Sequence, residues 1–302
     1  MPDRRIHLIA NPSAGGGRAG EVLPAVRQRL AERGLEVETT VTEHLQHGRD
    51  AAVAAVADGA IPVILSGDGL VGAAAGALCR VPGATMGVIP GGRGNDFARI
   101  TGIPFDPVEA CDVVADGEAR AFDLGEVDGK AFVGIASLGF DSDANRIANE
   151  APSWLGAGVY AYAALRALLG WRHAQFTVDL DGDVRTFSGW SVAAANSRAY
   201  GGGMLIAPHA DLHDGRLDVI LTEASSRLHF LRSLPTVFKG THVRDPKVHE
   251  LRGGTVRISA DRPFVVYADG DPIGELPVTV TTLPSAIRII VPPGGEAPAP
   301  AS

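Results

Sequence analysis

The chain has 302 residues, 45% of them hydrophobic and 21% charged, which is enough for two domains with apolar cores. Its formal net charge of -8 excludes a general nucleic-acid binder, which needs a basic face. Two cysteines, Cys79 and Cys111, exclude a disulfide framework and a zinc cluster and suit a reducing cytoplasm.

In chain order, Met1-Pro2-Asp3-Arg4-Arg5 runs straight into an apolar segment, so no secretory signal is expected. Ile6–Ala10 reads as a buried strand. Val22, Val26 and Leu30 fall on one helical face that Gly34 ends. Leu35–Val41 alternates as a strand, 49–57 is helical, Ile61–Leu65 is a strand, Val71–Leu78 a helix and Ala84–Ile89 a strand. This order predicts a parallel sheet covered by helices, an α/β domain over 1–123 whose ligands sit beyond the carboxyl ends of its strands. The rhythm then changes. Lys130–Ser137, 175–180, 184–194, 216–222, 255–259, 264–267, 277–281 and 287–291 read as strands, many set off by Asp-Gly turns. They predict a β-sandwich-like domain over 124–291, interrupted by helices near Tyr160–Leu169 and Leu228–Lys239. The apolar stretch Ala151–Trp171 holds Pro152, Gly156, Gly158 and Arg166 and reads as a packed helix rather than a membrane span. Residues 292–302 are Pro, Gly and Ala-rich and are expected to form a disordered tail.

Three glycine-rich turns follow strands of the first domain: Asn11-Pro12-Ser13-Ala14-Gly15-Gly16-Gly17, Ser66-Gly67-Asp68-Gly69 and Gly91-Gly92-Arg93-Gly94-Asn95-Asp96. Glycine turns expose backbone N–H groups to an anion, and two of these turns add an aspartate for a metal ion. Together they point to a polyphosphate with its cation. Gly15-Gly16-Gly17-Arg18-Ala19-Gly20 also fits the dinucleotide fingerprint, with Glu36 and Glu38 about 20 residues on. Against an oxidoreductase, Asn11–Ala14 separates the strand from the glycines, and hydride transfer gives the aspartates of the other turns no task.

With Asp123-Leu124-Gly125, Tyr200-Gly201-Gly202-Gly203, Ala207-Pro208-His209-Ala210 and Asp269-Gly270-Asp271, these turns form an ordered set over nearly the whole chain. It resembles the diacylglycerol kinase and sphingosine kinase family of lipid kinases. The resemblance implies an ATP-binding α/β domain, a β-sandwich whose last strands return to the first domain, Mg²⁺, and a lipid acceptor at a membrane surface. It places Asn11, Ser13, Thr42, Ser66, Gly67, Asp68, Gly69, Arg93 and Asn95 on the nucleotide. Thr42 reads equally as a helix N-cap. Asp68, Asp96 and Asp123 are implied to surround the catalytic Mg²⁺, with an N-cap or a turn as the alternatives for the last two. Asp211, Asp214 and Arg216 are implied to hold a structural Mg²⁺, although an Asp-Gly hairpin explains them equally well. Asp271 stands where the family's proton-accepting glutamate lies, and Asp68 is the other candidate base. Leu70, Gly72-Ala73 and Arg93 depart from the family's threonine, Asn-Glu and threonine; Arg93 could instead grip phosphate.

The leading expectation is therefore an ATP-dependent, Mg²⁺-assisted lipid kinase, cytoplasmic and peripheral to the inner membrane face, with room for a homodimer. An NAD kinase and a non-catalytic nucleotide or lipid binder are the alternatives. The stretch from Arg227 to Arg252 carries six Lys/Arg against Asp245 and Glu250. It could lie on an anionic membrane or be an ordinary solvated helix.

Overall fold

The apolar runs of the chain settle into two cores bridged by two long strands. The computed structural model describes residues 5–151 and 159–294. The predicted tail from 295 onward, residues 1–4 and residues 152–158 of the apolar stretch lie outside the described residues.

The first half runs β1 (Arg5–Ala10), α1 (Arg18–Glu32), β2 (Glu36–Val41), α2 (Leu45–Ala57), β3 (Ile61–Ser66), α3 (Asp68–Leu78), β4 (Thr85–Pro90), α4 (Asp96–Thr101) and α5 (Pro107–Asp116). Its strands pair in parallel in the order β2-β1-β3-β4. Helices cover both faces, so β3 and β4 are unbroken apolar runs rather than alternating ones. Leu8, Ile64 and Leu65 are fully enclosed, and each such side chain stabilises the fold by roughly 1.5–3 kcal/mol.

The second half adds β5 (Glu118–Val127), β6 (Lys130–Phe132), β7 (Ile135–Gly139), α6 (Phe140–Glu150), α7 (Val159–Gly170), β8 (Ala174–Leu180), β9 (Asp183–Ala195), β10 (Leu217–Glu223), α8 (Arg227–Val237), β11 (Val248–Gly253), β12 (Thr255–Ala260), β13 (Val265–Ala268), β14 (Asp271–Glu275) and β15 (Val278–Val291). These are antiparallel to one another. β9 pairs with β8 as far as Gly189 and then with β7 and β10. It thus changes its partner from β8 to β10 at a glycine, where a Cβ would lie 2.5 Å from the Phe187 ring and from the Thr222 carbonyl. The inner faces enclose Phe176, Trp190, Val192, Val219, Val256 and Val280.

The β-rich reading holds, with corrections in detail. Lys130–Ser137 is two strands, β6 and β7. The segments 277–281 and 287–291 are one strand, β15, which ends in the first domain. There Arg288 and Ile289 pair in parallel with Thr85 and Met86, while β5 runs antiparallel along most of β15. The irregularity between Leu283 and Ile287, where Ser285 has φ 50°, is what made the strand read as two. Both β5 and β15 contribute to both cores.

Candidate active site

The three glycine turns meet at the carboxyl ends of β1, β3 and β4, and the glycines are what let them touch. A Cβ on Gly15 would lie 2.4 Å from the Gly91 carbonyl oxygen, and one on Gly92 would lie 2.4 Å from the Gly67 Cα. Backbone packs on backbone here, and no larger residue fits. Asn95 fixes the third turn: its Oδ1 accepts from the Gly92 N–H at 2.8 Å and its Nδ2 donates to the Gly92 carbonyl at 3.0 Å. The side chain predicted to touch nucleotide is therefore committed to shaping the loop. Asn11 does similar work, accepting from the Ser13 N–H at 3.1 Å. Ser66 is buried at the end of β3. Thr42 is buried at the end of β2 and does not cap α2; His44 does, through Nδ1 to the His47 N–H. Arg93 is exposed, with a guanidinium nitrogen 3.4 Å from where a Gly16 Cβ would sit, and no hydrogen bond or ion pair joins it to a described residue.

Two predicted aspartates converge in this edge. Asp68, in the first turn of α3, accepts from the Phe97 N–H at 3.0 Å through Oδ1. A Cβ on Gly94 would lie 3.2 Å from Asp68 Oδ2 and 3.3 Å from Asp96 Oδ2. Asp96 is no N-cap. It reaches across to the second half, where its Oδ2 accepts from the Gly202 N–H at 2.7 Å. Its Oδ1 is buried with no hydrogen-bond donor, the nearest cation being Arg99 Nε at 3.7 Å. Burial, with a further push from the Asp68 charge, raises the Asp96 carboxyl above the usual range, and the Gly202 N–H opposes this in part.

The sandwich supplies the other wall. Asp269 and Gly270 form the β13–β14 hairpin turn in the left-handed region, φ 53° and 94°. Asp269 points inward and accepts from the Val133 and Gly134 N–H groups at 2.8 Å each. Burial pushes it up to about 6 despite those donors, helped by the Asp68 and Asp271 charges. Gly72 makes room for it, since a Cβ there would come 2.5 Å from Asp269 Oδ2. Asp271 Oδ2 lies 3.8 Å from the Cβ position of Gly69. Its side chain meets solvent on one side while the crowding protein on the other raises its carboxyl. The turn is thus a hairpin, as one reading had it, and it also lies against the Ser66–Gly69 turn and α3. Asp269 and the Gly202 N–H are the groups sequence reasoning missed as site members, and the Asp-Gly pair and triple glycine were their only local signals.

Asp123, Asp211, Asp214 and Arg216 form a different constellation. Asp123 Oδ2 accepts from the Gly215 N–H at 2.6 Å and Oδ1 from the Ser285 N–H at 2.7 Å. It is a clasp between β5, the 211–216 turn and β15, and neither of its oxygens faces Asp68 and Asp96 unspent. Asp211 and Asp214 cap their own turn through the His213 and Arg216 N–H groups at 3.0 and 2.9 Å. Arg252 Nη1 stands 3.5 Å from Asp214 Oδ2. Among the described residues no three His, Cys, Asp or Glu side chains form a metal cage. The fit for Mg²⁺ is at Asp68 and Asp96, whose Oδ2 atoms both border Gly94 and of which the Asp68 one has no hydrogen-bond donor among the described residues; such an ion keeps several water or phosphate ligands.

Residues 5–127 match the diacylglycerol kinase catalytic domain, and residues 134–291 match the YegS C-terminal NAD kinase beta sandwich-like domain. A diacylglycerol kinase of Mycobacterium tuberculosis (strain ATCC 25618 / H37Rv) is 36% identical, over 96% of each chain. The chain belongs to the diacylglycerol kinase family. Another relative bearing that name, from Bacillus subtilis (strain 168), is 28% identical over 96% of this chain and 97% of its own. The crystal structure of a Bacillus anthracis str. Sterne diacylglycerol kinase superposes with a TM-score of 0.76 at 18% identity, covering 97% of this chain and 98% of that one. The family fold therefore extends through both halves. The departures from the family pattern have local causes: Leu70 is buried against Gly48 of α2, and Gly72 accommodates Asp269.

Proposed function

We propose that this protein transfers the γ-phosphate of ATP to a hydroxyl of a diacylglycerol-like lipid. The observation that carries the reading is Asp271, which the sandwich half brings beside Gly69 of the Ser66–Gly69 turn with one side open to solvent. In the proposed step the acceptor hydroxyl passes its proton to Asp271 Oδ2 as its oxygen bonds to the γ-phosphorus, and the bond from that phosphorus to the β-phosphate bridging oxygen breaks, leaving ADP. Mg²⁺ at Asp68 and Asp96 would neutralise phosphate charge. The chain's own tasks are to seat the phosphates with the turn N–H groups, to aim Arg93 at them, and to keep Asp271 within reach of the acceptor. The raised carboxyl of Asp271 suits a base, because a stronger base takes the proton more readily.

The sandwich half's match to an NAD kinase-like domain gives the second reading. One assay separates the two: labelled γ-phosphate transfer with Mg²⁺ to dispersed diacylglycerol, sphingoid base, monoacylglycerol or NAD. Transfer to diacylglycerol is expected. Transfer to NAD alone would replace the proposal, and no transfer to any acceptor would favour a binding protein.

A further inference from the structure

Four of the five most exposed large hydrophobic side chains among the described residues lie on or just after α7 and α8: Leu169 (69%), Leu165 (57%), Leu228 (57%) and Phe238 (56%). The two helices share one footing. The inner side of α7 buries Ala163, Ala167 and Leu168, and that of α8 buries Phe230, which stacks on Trp190 at 4.1 Å. Trp171, at the end of α7, stacks on the same Trp190 at 6.0 Å, and its carbonyl accepts from Arg227 Nη2 at 3.2 Å. Both helices therefore turn an apolar side outward next to each other, the reverse of an ordinary surface helix.

The charge on the two helices and their flanking segments has one sign. Residues 159–178 and 224–244 contain Arg166, Arg172, Arg227, Arg232, Lys239 and Arg244 and no Asp or Glu, in a chain whose net charge is -8. Acids nearby are engaged: Asp245 with His229 at 2.6 Å, Glu223 with Lys247 at 3.1 Å and His249 at 2.9 Å, and, on the α6 helix that packs against α7, Asp143 and Glu150 with Arg146 at 3.9 and 3.2 Å. The face also reaches the catalytic cleft. The Val237 carbonyl accepts from the Leu205 N–H at 3.1 Å, next to the Tyr200–Met204 turn whose Gly202 holds Asp96.

We propose that α7 and α8 form a docking face for an anionic lipid bilayer, seated so that the acceptor enters the cleft from the membrane. The inference rests on the lipid-kinase reading for its occupant. Apolar side chains flanked by cations match the acyl boundary and the anionic headgroups respectively. A second copy of the chain is a poorer match, since it would set two basic faces against each other.

The test is sedimentation of the full chain with phosphatidylcholine vesicles made with and without phosphatidylglycerol. Wild type is expected to sediment with the anionic vesicles and to be released by salt. Leu169→Glu combined with Leu228→Glu should lower partition about tenfold or more. Arg172→Glu with Arg232→Glu should abolish the preference for phosphatidylglycerol. Val184→Glu, equally exposed at 60% but on the acidic β8–β9 hairpin, should sediment as wild type. Activity of the Leu169/Leu228 variant on a dispersed short-chain diacylglycerol should remain. The proposal is overturned if wild type ignores anionic vesicles, if the double leucine variant binds them unchanged, or if wild type is a dimer that this variant dissociates. A lost kinase reading shows separately, as no transfer to the short-chain acceptor by a protein that still binds vesicles.

Discussion

Asp96, at the start of α4, and Asp123, within β5, are both nearly enclosed, yet their chemistry is opposite. Asp123 spends both oxygens on backbone N–H groups from the Gly215 turn and from Ser285. Asp96 spends Oδ2, the oxygen nearer Asp68, on Gly202 and leaves Oδ1 buried without a hydrogen-bond donor, 3.7 Å from Arg99 Nε. A saturated carboxylate holds a fold together, whereas an unsatisfied pair of carboxylates is costly until a cation arrives. The difference is whether the lone pairs are already taken.

Removing a charge from the unsatisfied pair should have the largest effect on rate. Asp68→Asn keeps an acceptor for the Phe97 N–H but loses the charge, and kcat should fall by about 10³-fold. The thermal midpoint should not drop, because a like-charge contact with Asp96 is relieved. A variant that unfolds early instead would place Asp68 with the clasp residues. Asp123→Ala should do the opposite. Two partly buried hydrogen bonds that tie the 211–216 turn and β15 to β5 are lost, at about 1 kcal/mol each, so a urea midpoint should fall below wild type. Residual turnover per folded molecule should exceed that of Asp68→Asn. A stable Asp123→Ala protein with no activity would erase the distinction.

Asp271 sharpens the comparison within the cleft. Asp271→Asn should cost about 10²-fold in kcat. Its carboxyl is raised by burial, so it stays protonated at pH values where an ordinary aspartate is already ionised. A base works only when deprotonated, so activity should climb as pH rises through a limb displaced upward from the usual carboxylate range. In the Asn variant that limb should vanish. If it persists in the pH profile, Asp269, pushed up to about 6 in the same wall, is the titrating group instead.

Much of the fold was legible because its causes are local. Apolar runs of strand length, helical spacing before Gly34 and the Asp-Gly turns all lie within a few residues of what they specify. Helix α5 had a local signal that went unused: Asp106, whose side chain caps the Val108 and Glu109 N–H groups, followed by Pro107 in the first turn. Other features had no local cause. Asp123 is held in its role by Gly215 and Ser285, 92 and 162 residues away in sequence. That clasp also accounts for the left-handed Ser285, a backbone cost offset by a charge-assisted hydrogen bond. The glycines of the three turns read as phosphate ligands, yet Gly67 and Gly92 are needed first for contact with each other. Glycine signals both demands with the same letter, and only the packing tells them apart.

The distinction between spent and unspent charge extends to the cations, and there the expected effect is smallest. Arg252 is spent: it bonds Asp218 and the His209 carbonyl at 3.1 and 2.8 Å and faces Asp214. Arg93 is exposed over Gly16 with no partner among the described residues, so its guanidinium is available to a phosphate at the turn edge. Arg93→Ala should leave the thermal midpoint within a degree or so, because an unpaired surface side chain carries about 0.5 kcal/mol or less of stability. It should raise the KM for ATP about five- to tenfold, the loss of one largely solvated charge-assisted contact. Arg93→Lys should recover part of that loss, since a lysine keeps the charge but not the two-pronged grip. The salt dependence of KM gives a second reading: a phosphate contact in solvent weakens as ionic strength rises, and the alanine variant should lose that sensitivity. An Arg93→Ala enzyme with unchanged KM and an unchanged salt profile would mean the threonine-to-arginine departure is a surface change with no part in nucleotide binding.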